Sequence, residues 1–230
     1  MKKIINILFV LVMAVFVACN SGSPKQTTAV NYNLIMQQLD SIHFNDQFYR
    51  KRIDSLEKLS QHYSNVLLQS SHIATKQDSD NVKKVSDDLN TSWSAVNKSD
   101  ASNLIKVKTI IDTYGWLGAD VIGSQANQTL FLVIQHGGLA VQEKYLPIMK
   151  EAAKNKKADP AELALLIDRI EVSNNRPQIY GSQIKKESGK FVICPIIDEV
   201  NVNKRRSAVG LSSLEEYAKN WNINYKLPAQ

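Results

Sequence analysis

The sequence predicts a mainly α domain of the α+β type: a helical body with one late β-hairpin, preceded by a lipoprotein signal and a tether. Three observations point there. Apolar residues recur every three or four positions from Asn31 to Asn174, the spacing of helices with one buried face. Between Gln178 and Ile196 the period changes to alternation around a polar loop. Residues 1–18 form a short apolar run that stops at Cys19.

At the N-terminus, Met1-Lys2-Lys3 gives a positive start, Ile4–Ala18 is apolar except for Asn6, and Phe16-Val17-Ala18 places a small residue before Cys19. A lipoprotein signal is written this way: cleavage falls before the cysteine, which then carries acyl chains. The run is shorter than the roughly 20 apolar residues that span a bilayer. Phe16 stands where a smaller aliphatic residue is expected, so a cleaved secretory signal or an uncleaved anchor are the alternatives. Residues 19–30 read as lipidated Cys19 and a flexible tether, because Asn20–Thr28 is small and polar and cannot bury enough surface to order itself. Two or three acyl chains on one cysteine hold a protein stably at a membrane. Residues 31–230 are then a single mostly helical domain, with N-terminal helices over 31–97 and a motif-bearing core over 98–230.

Ile53, Leu56, Leu59, Tyr63 and Val66 make one amphipathic stripe, and Val82, Val85, Leu89, Trp93 and Val96 a second, with polar Ser70–Ser79 as the connection. Ser99 and Asp100 can cap a third helix carrying Leu104, Val107, Ile110 and Ile111, which Gly115, Gly118 and Gly123 then break. Gln125–His136 is apolar on every side through Leu130–Ile134, so it belongs at the centre of a core. Gly137-Gly138 ends it. In the next helix Pro147 predicts a kink or a restart. Asp159-Pro160-Ala161-Glu162 is a strong start signal for a helix through Leu163, Leu166, Ile167 and Ile170, stopped at Asn174-Asn175. Gln178–Ile184 and Phe191–Ile196 flank a loop over Lys185–Lys190 and predict the hairpin. A helix from about Val200 to Ala208 follows, and Ser212-Ser213-Leu214-Glu215 opens a last one through Tyr217 and Trp221.

The chain has 28 Lys/Arg against 22 Asp/Glu, and 26 against 22, or +4, once Lys2 and Lys3 are removed. The basic pairs are scattered rather than clustered with aromatics, which argues against nucleic-acid binding. With Cys19 lipidated, Cys194 has no intrachain partner, and its apolar strand-like setting makes it a buried, inert thiol.

Polar residues gather oddly in the second half. Gln135-His136 ends the most apolar helix, Asp168-Arg169 interrupts an apolar run, Gln178, Tyr180 and Gln183 crowd one hairpin segment, and Arg205-Arg206 precedes Ala208-Val209-Gly210-Leu211. Burying such groups unpaired is costly, so each must reach solvent or find a partner. Gln135-His136, Leu166–Arg169, Arg176–Gln183 and Arg205–Leu211 together resemble a bacterial domain-of-unknown-function family, the one numbered six thousand six hundred and twenty-four. Asp112–Trp116 with Gly123 is similar to its upstream signature, and Asp46–Arg50 to its opening one, so the resemblance runs from Phe44 to Tyr217. That family has no assigned activity, and the resemblance implies no reaction. Many of its members have an aspartate two residues after the histidine, where this chain has Gly138, and some have a second histidine beside it, where this chain has Leu139. The resemblance therefore carries no His-Ala-Asp-His metal site to this chain. Leu117 also replaces a common proline, and Ser182 a threonine.

Two functional classes compete. In the first, Gln135, Arg169, Gln178, Tyr180, Gln183, Arg205 and Arg206 surround a site that binds a small-molecule, peptide or envelope ligand. In the second, His136 is the general base of a hydrolase acting on an envelope substrate, with Asp168 as its catalytic partner, since histidine titrates near neutrality. His136 lining an open pocket within one hydrogen bond of Asp168 or a hydroxyl favours the enzyme; a purely structural protein predicts no pocket there. His43, His62 and His72 look like surface positions. No serine or cysteine nucleophile motif and no set of ligands at zinc spacing is present, so neither metal nor cofactor is expected. Asp168 and Arg169 point about 100° apart on a helix and cannot share one partner squarely. A structural network joining Asp168 to Arg205 or Arg206 is the preferred reading of those residues. Tyr180–Gln183 is also faintly similar to the hairpin of lysozyme-like glycosidases, with Glu171 as acid, but a second carboxylate in an apolar pocket is missing. The expected address is the cell envelope, on the periplasmic side of a membrane.

Overall fold

A computed structural model describes residues 30–68 and 75–228. Cys19, the signal and nearly all of the tether lie outside these residues, as does His72. Asn31–Gln230 form one compact unit. Eight α-helices and a two-stranded hairpin are described: α1 (Tyr32–Leu67), α2 (Lys76–Tyr114), α3 (Ala119–Ile122), α4 (Ser124–His136), α5 (Leu139–Lys154), α6 (Pro160–Ser173), β1 (Ile184–Glu187), β2 (Lys190–Ile193), α7 (Val202–Ala208) and α8 (Leu214–Lys219). The domain is mainly helical with a late hairpin, as the periodicity predicts. No described helix is long and apolar enough to cross a membrane.

α4 is the hub. Leu130 and Ile134 are fully buried, and the helix touches α1, α2, α3, α5 and α6. An all-round apolar helix can satisfy its faces only by being surrounded. α6 starts as its sequence signals, with the Asp159 carboxylate accepting from the Ala161 N–H and Pro160 in the first turn.

Three elements differ from expectation. Ser99 and Asp100 start no helix, because α2 runs unbroken for 39 residues. Its true start is Thr75, whose hydroxyl accepts from Asp78 N–H while the Asp78 carboxylate accepts from Thr75 N–H, a reciprocal capping box. α5 also continues through Pro147, where one missing backbone donor is outweighed by burial of Tyr145, Met149 and Ala152. The hairpin turn is only Ser188-Gly189, both with positive φ (49° and 81°), so β1 and β2 occupy most of the expected loop.

Residues 178–183 are a tight turn rather than a strand, and side chains satisfy its backbone from every side. The buried Asp168 carboxylate accepts from the N–H groups of Ile179, Tyr180 and Ser182 at 2.7, 2.9 and 2.9 Å. Arg205 donates to the Ile179 carbonyl, Arg206 to the Tyr180 carbonyl, and the Tyr217 hydroxyl to the Ser182 carbonyl, at 2.7–2.8 Å. Gln178, fully buried, donates to the carbonyls of Gln183 and Cys194 and accepts from Gln183 N–H. Gly181 is required at φ +73°, where a Cβ would also stand 3.0 Å from Ile196 and Leu214. Cys194 is buried beside this turn, and burial pushes its thiol up.

Truncating Asp168 to alanine leaves three N–H groups without this partner, that of Ser182 buried and those of Ile179 and Tyr180 half-buried, so Asp168→Ala is expected to lose about 3–5 kcal/mol. Urea unfolding followed by circular dichroism measures it, and a loss below about 1 kcal/mol would refute the clamp.

Candidate functional site

Along α1 the buried positions are Ile35, Leu39, Ile42, Asp46 and Ile53. Asp46 therefore occupies an apolar-stripe position, where an unpaired carboxylate would be costly. His136, the last residue of α4, meets it: Nδ1 lies 2.9 Å from Asp46 Oδ1. Gln47 donates to the other carboxylate oxygen at 2.7 Å. One turn further on, Arg50 holds Asp100 of α2 through Nη2 at 2.9 and 2.7 Å, while its Nε stands 3.3 Å from His136 Nδ1 and 3.6 Å from Asp46. Nδ1 cannot both donate to Asp46 and accept from Arg50. The shorter contact, to a carboxylate, favours Nδ1–H donating to Asp46, with Arg50 acting on Asp46 by charge. Nε2 then has no partner among the described residues and is the free acceptor.

Burial pushes the Asp46 carboxyl up, but the His136 hydrogen bond and charge, Arg50 and Gln47 outweigh it and hold it below the usual carboxylate value. At Asp100 burial prevails, assisted by the charge of Asp46, and the carboxyl sits above its usual value despite Arg50.

Arg50, Asp100, Gln135, His136, Gln142 and Arg169 share the lining of an open cleft of about 790 Å³ between α1, α2, α4 and α6. Three of its buried polar atoms have no hydrogen-bond partner among the described residues: Gln135 Oε1, Gln142 Oε1 and Arg169 Nε. The Gln142 amide is fixed, because its Nε2 donates to the carbonyls of Gln135 and Gly137 at the end of α4. Burial lowers the proton affinity of the Arg169 guanidinium. Tyr217 opposes this and the like charge of Arg50 adds to it, while no carboxylate contributes. A smaller cavity of about 130 Å³ lies against Asp46, Asp100, His136 and Gly138. A Cβ at Gly138 would meet nothing within 4 Å, so there is open space around this position. Among the described residues, no three His, Cys, Asp or Glu side chains are grouped to hold a metal.

The sequence-predicted residues therefore separate into two groups. Gln135, His136 and Arg169 meet in the cleft. Asp168, Gln178, Arg205 and Arg206 do not line it: Asp168 and Gln178 hold the 178–183 turn, while Arg205 and Arg206 each give one donor to it and the others to Ile197, Asp198 and Ser212, so the expected pairing of Asp168 with His136, and with either arginine, is not formed. Gln183 is engaged through its backbone with Gln178 and through its amide with Ser182, and Tyr180 gives both backbone groups to the same clamp. Glu171 is paired with Arg176, which holds its carboxyl below the usual value. His43 is half-buried, with Nδ1 3.3 Å from Thr129 Oγ1, rather than on the surface. Asp46, Arg50, Asp100 and Gln142 are the residues that sequence reasoning missed as site members. For Asp46 the signal was present, a lone carboxylate at stripe spacing.

Asp46 is lowered in the fold, so its contribution to stability is complete above the ordinary carboxylate range and fades as pH falls through its lower folded value. Asp46→Asn is expected to remove that part of the acid-side loss of stability, measured by urea unfolding across a pH series. An unchanged acid limb would show that the Asp46–His136 contact is not formed.

A model of a family of unknown function, DUF6624, matches residues 72–229. The match covers His136, Gln142, Arg169 and the clamp, whereas Asp46 and Arg50 precede it. No curated protein and no solved structure matches the chain.

Proposed function

The chain belongs to the DUF6624 family, and we propose that it is an envelope-tethered binding domain whose cleft takes a small polar ligand carrying a negative charge. The observation that supports this reading is Arg169: a largely buried guanidinium, with no carboxylate to neutralise it, beside the unpaired acceptors Gln135 Oε1 and Gln142 Oε1. A buried cation without a partner is destabilising, and a ligand that supplies an anion and hydrogen-bond donors relieves the cost on binding. In this reading the domain is held at the periplasmic side of a membrane by acylation of Cys19 and a short polar tether, which the N-terminal sequence pattern supports.

A second reading is favoured by the His136–Asp46 pair. Asp46 fixes Nδ1–H, and Nε2 is left to take a proton from water attacking a bound envelope substrate, so a hydrolase with His136 as base is the alternative. That activity predicts a loss of about 100-fold or more in His136→Ala and a clear reduction in Asp46→Asn.

Arg169→Met is expected to raise the melting temperature of the ligand-free protein, because it removes an uncompensated cation. It is also expected to abolish thermal shifts caused by carboxylate- and phosphate-bearing metabolites. Lower stability with unchanged shifts would overturn the binding reading. Cys19→Ala should move the protein from the membrane fraction to the soluble one, and mass spectrometry should find an acylated peptide beginning at Cys19 in the parent. Unmodified soluble protein from both forms would overturn the anchor.

A further inference from the structure

Two indoles line the same cleft as Arg169. Trp93 on α2 is 44% exposed and Trp221, just after α8, is 36% exposed. The helical stripe groups Trp93 with the core, yet the buried positions there are Val85, Ser92 and Val96, so its ring lies beside the cleft rather than within the packing. Trp221 is held edge-on by Phe191 of β2, ring centroids 5.1 Å apart at 65°. Large aromatic faces left open beside fixed polar groups are suited to a ligand with an apolar face and polar edges.

A pyranose ring has that form. Its C–H face covers an indole, and its hydroxyls point outward as donors, which Gln135 Oε1 and Gln142 Oε1 lack. Arg169 calls for one anionic group, and a carboxylate fits a guanidinium fork in two parallel hydrogen bonds. The rim carries exposed Asp54 and Glu57, which accept from further hydroxyls and repel a ligand of high negative charge. A polyphosphate is therefore disfavoured relative to a sugar with a single carboxylate. The cleft volume lies in the range of about 300–1,000 Å³ typical of small-ligand sites.

We propose that the ligand is an acidic saccharide, stacked on Trp93, the more exposed of the two indoles, with its carboxylate on Arg169. This rests on the binding reading above and names the ligand class of that same cleft.

The test is calorimetric titration of the protein with four probes: N-acetylmuramic acid (ring and carboxylate), N-acetylglucosamine (ring alone), lactate (carboxylate alone) and pyrophosphate (dense charge). The acid sugar should bind about tenfold tighter than the neutral sugar, with lactate and pyrophosphate weaker than either. Trp93→Ala should weaken both sugars about tenfold, Trp93→Phe should keep most of the affinity, and Arg169→Met should make the two sugars equal. Lactate or pyrophosphate binding as tightly as the acid sugar, unaffected by Trp93→Ala but lost in Arg169→Met, would overturn the saccharide and keep the anion site. No binding of any probe overturns the saccharide, and the metabolite shifts with Arg169→Met decide the binding reading separately.

Discussion

Burial of one carboxylate, Asp46, on the apolar stripe of α1 sets the terms for everything around it. A charge in that position is tolerated only with partners from other elements. His136 comes from the end of α4, and Arg50 adds its charge while reaching across to Asp100 of α2. Three helices are thereby fastened at one point. The apolar core sets which helices meet; this polar junction sets how the end of α4 stands between α1 and α2, and so where Nε2 of His136 is presented.

Asp168 and Arg169 illustrate the difference between a satisfied charge and an available one. They are neighbours on α6, pointing about 100° apart. Asp168 faces the 178–183 turn and is saturated by three backbone donors. Arg169 faces the cleft, where its Nε finds no acceptor. The first is a structural element that fixes how the hairpin leaves α6. The second is an uncompensated cation, the feature on which the binding proposal rests.

Much of the architecture was legible because hydrophobic period and capping chemistry are local. The cap at Asp159, the all-apolar α4 and the late change of period can each be read within a dozen residues. What could not be read depends on distant partners. Ser99 and Asp100 look like a helix start, but Asp100 is claimed by Arg50, 50 residues away, and the helix continues through them. The polar cluster of the second half was visible as a set, yet its division into clamp and cleft is a matter of which way side chains point across the fold. Trp93 carries the spacing of a core residue and the exposure of a surface one, a distinction no single stripe contains. Asp46 is the instructive miss, since its position on the stripe marked it as buried and therefore as partnered.

α1 and α2 are long rods, and beyond Ile53 no residue of α1 is buried. At 1.5 Å per residue, Asp54–Leu67 runs about 20 Å beyond the last buried residue of α1. The cleft lies at the root of this arm. Arg50, Asp54, Trp93 and Asp100 line it from α1 and α2, whereas Gln135, His136 and Arg169 line it from α4 and α6. The two walls of the cleft therefore come from separate parts of the fold, one from the α1–α2 pair and the other from α4, α5 and α6. Arg50 spans the two walls, holding Asp100 on α2 while its Nε stands against Nδ1 of His136 at the end of α4.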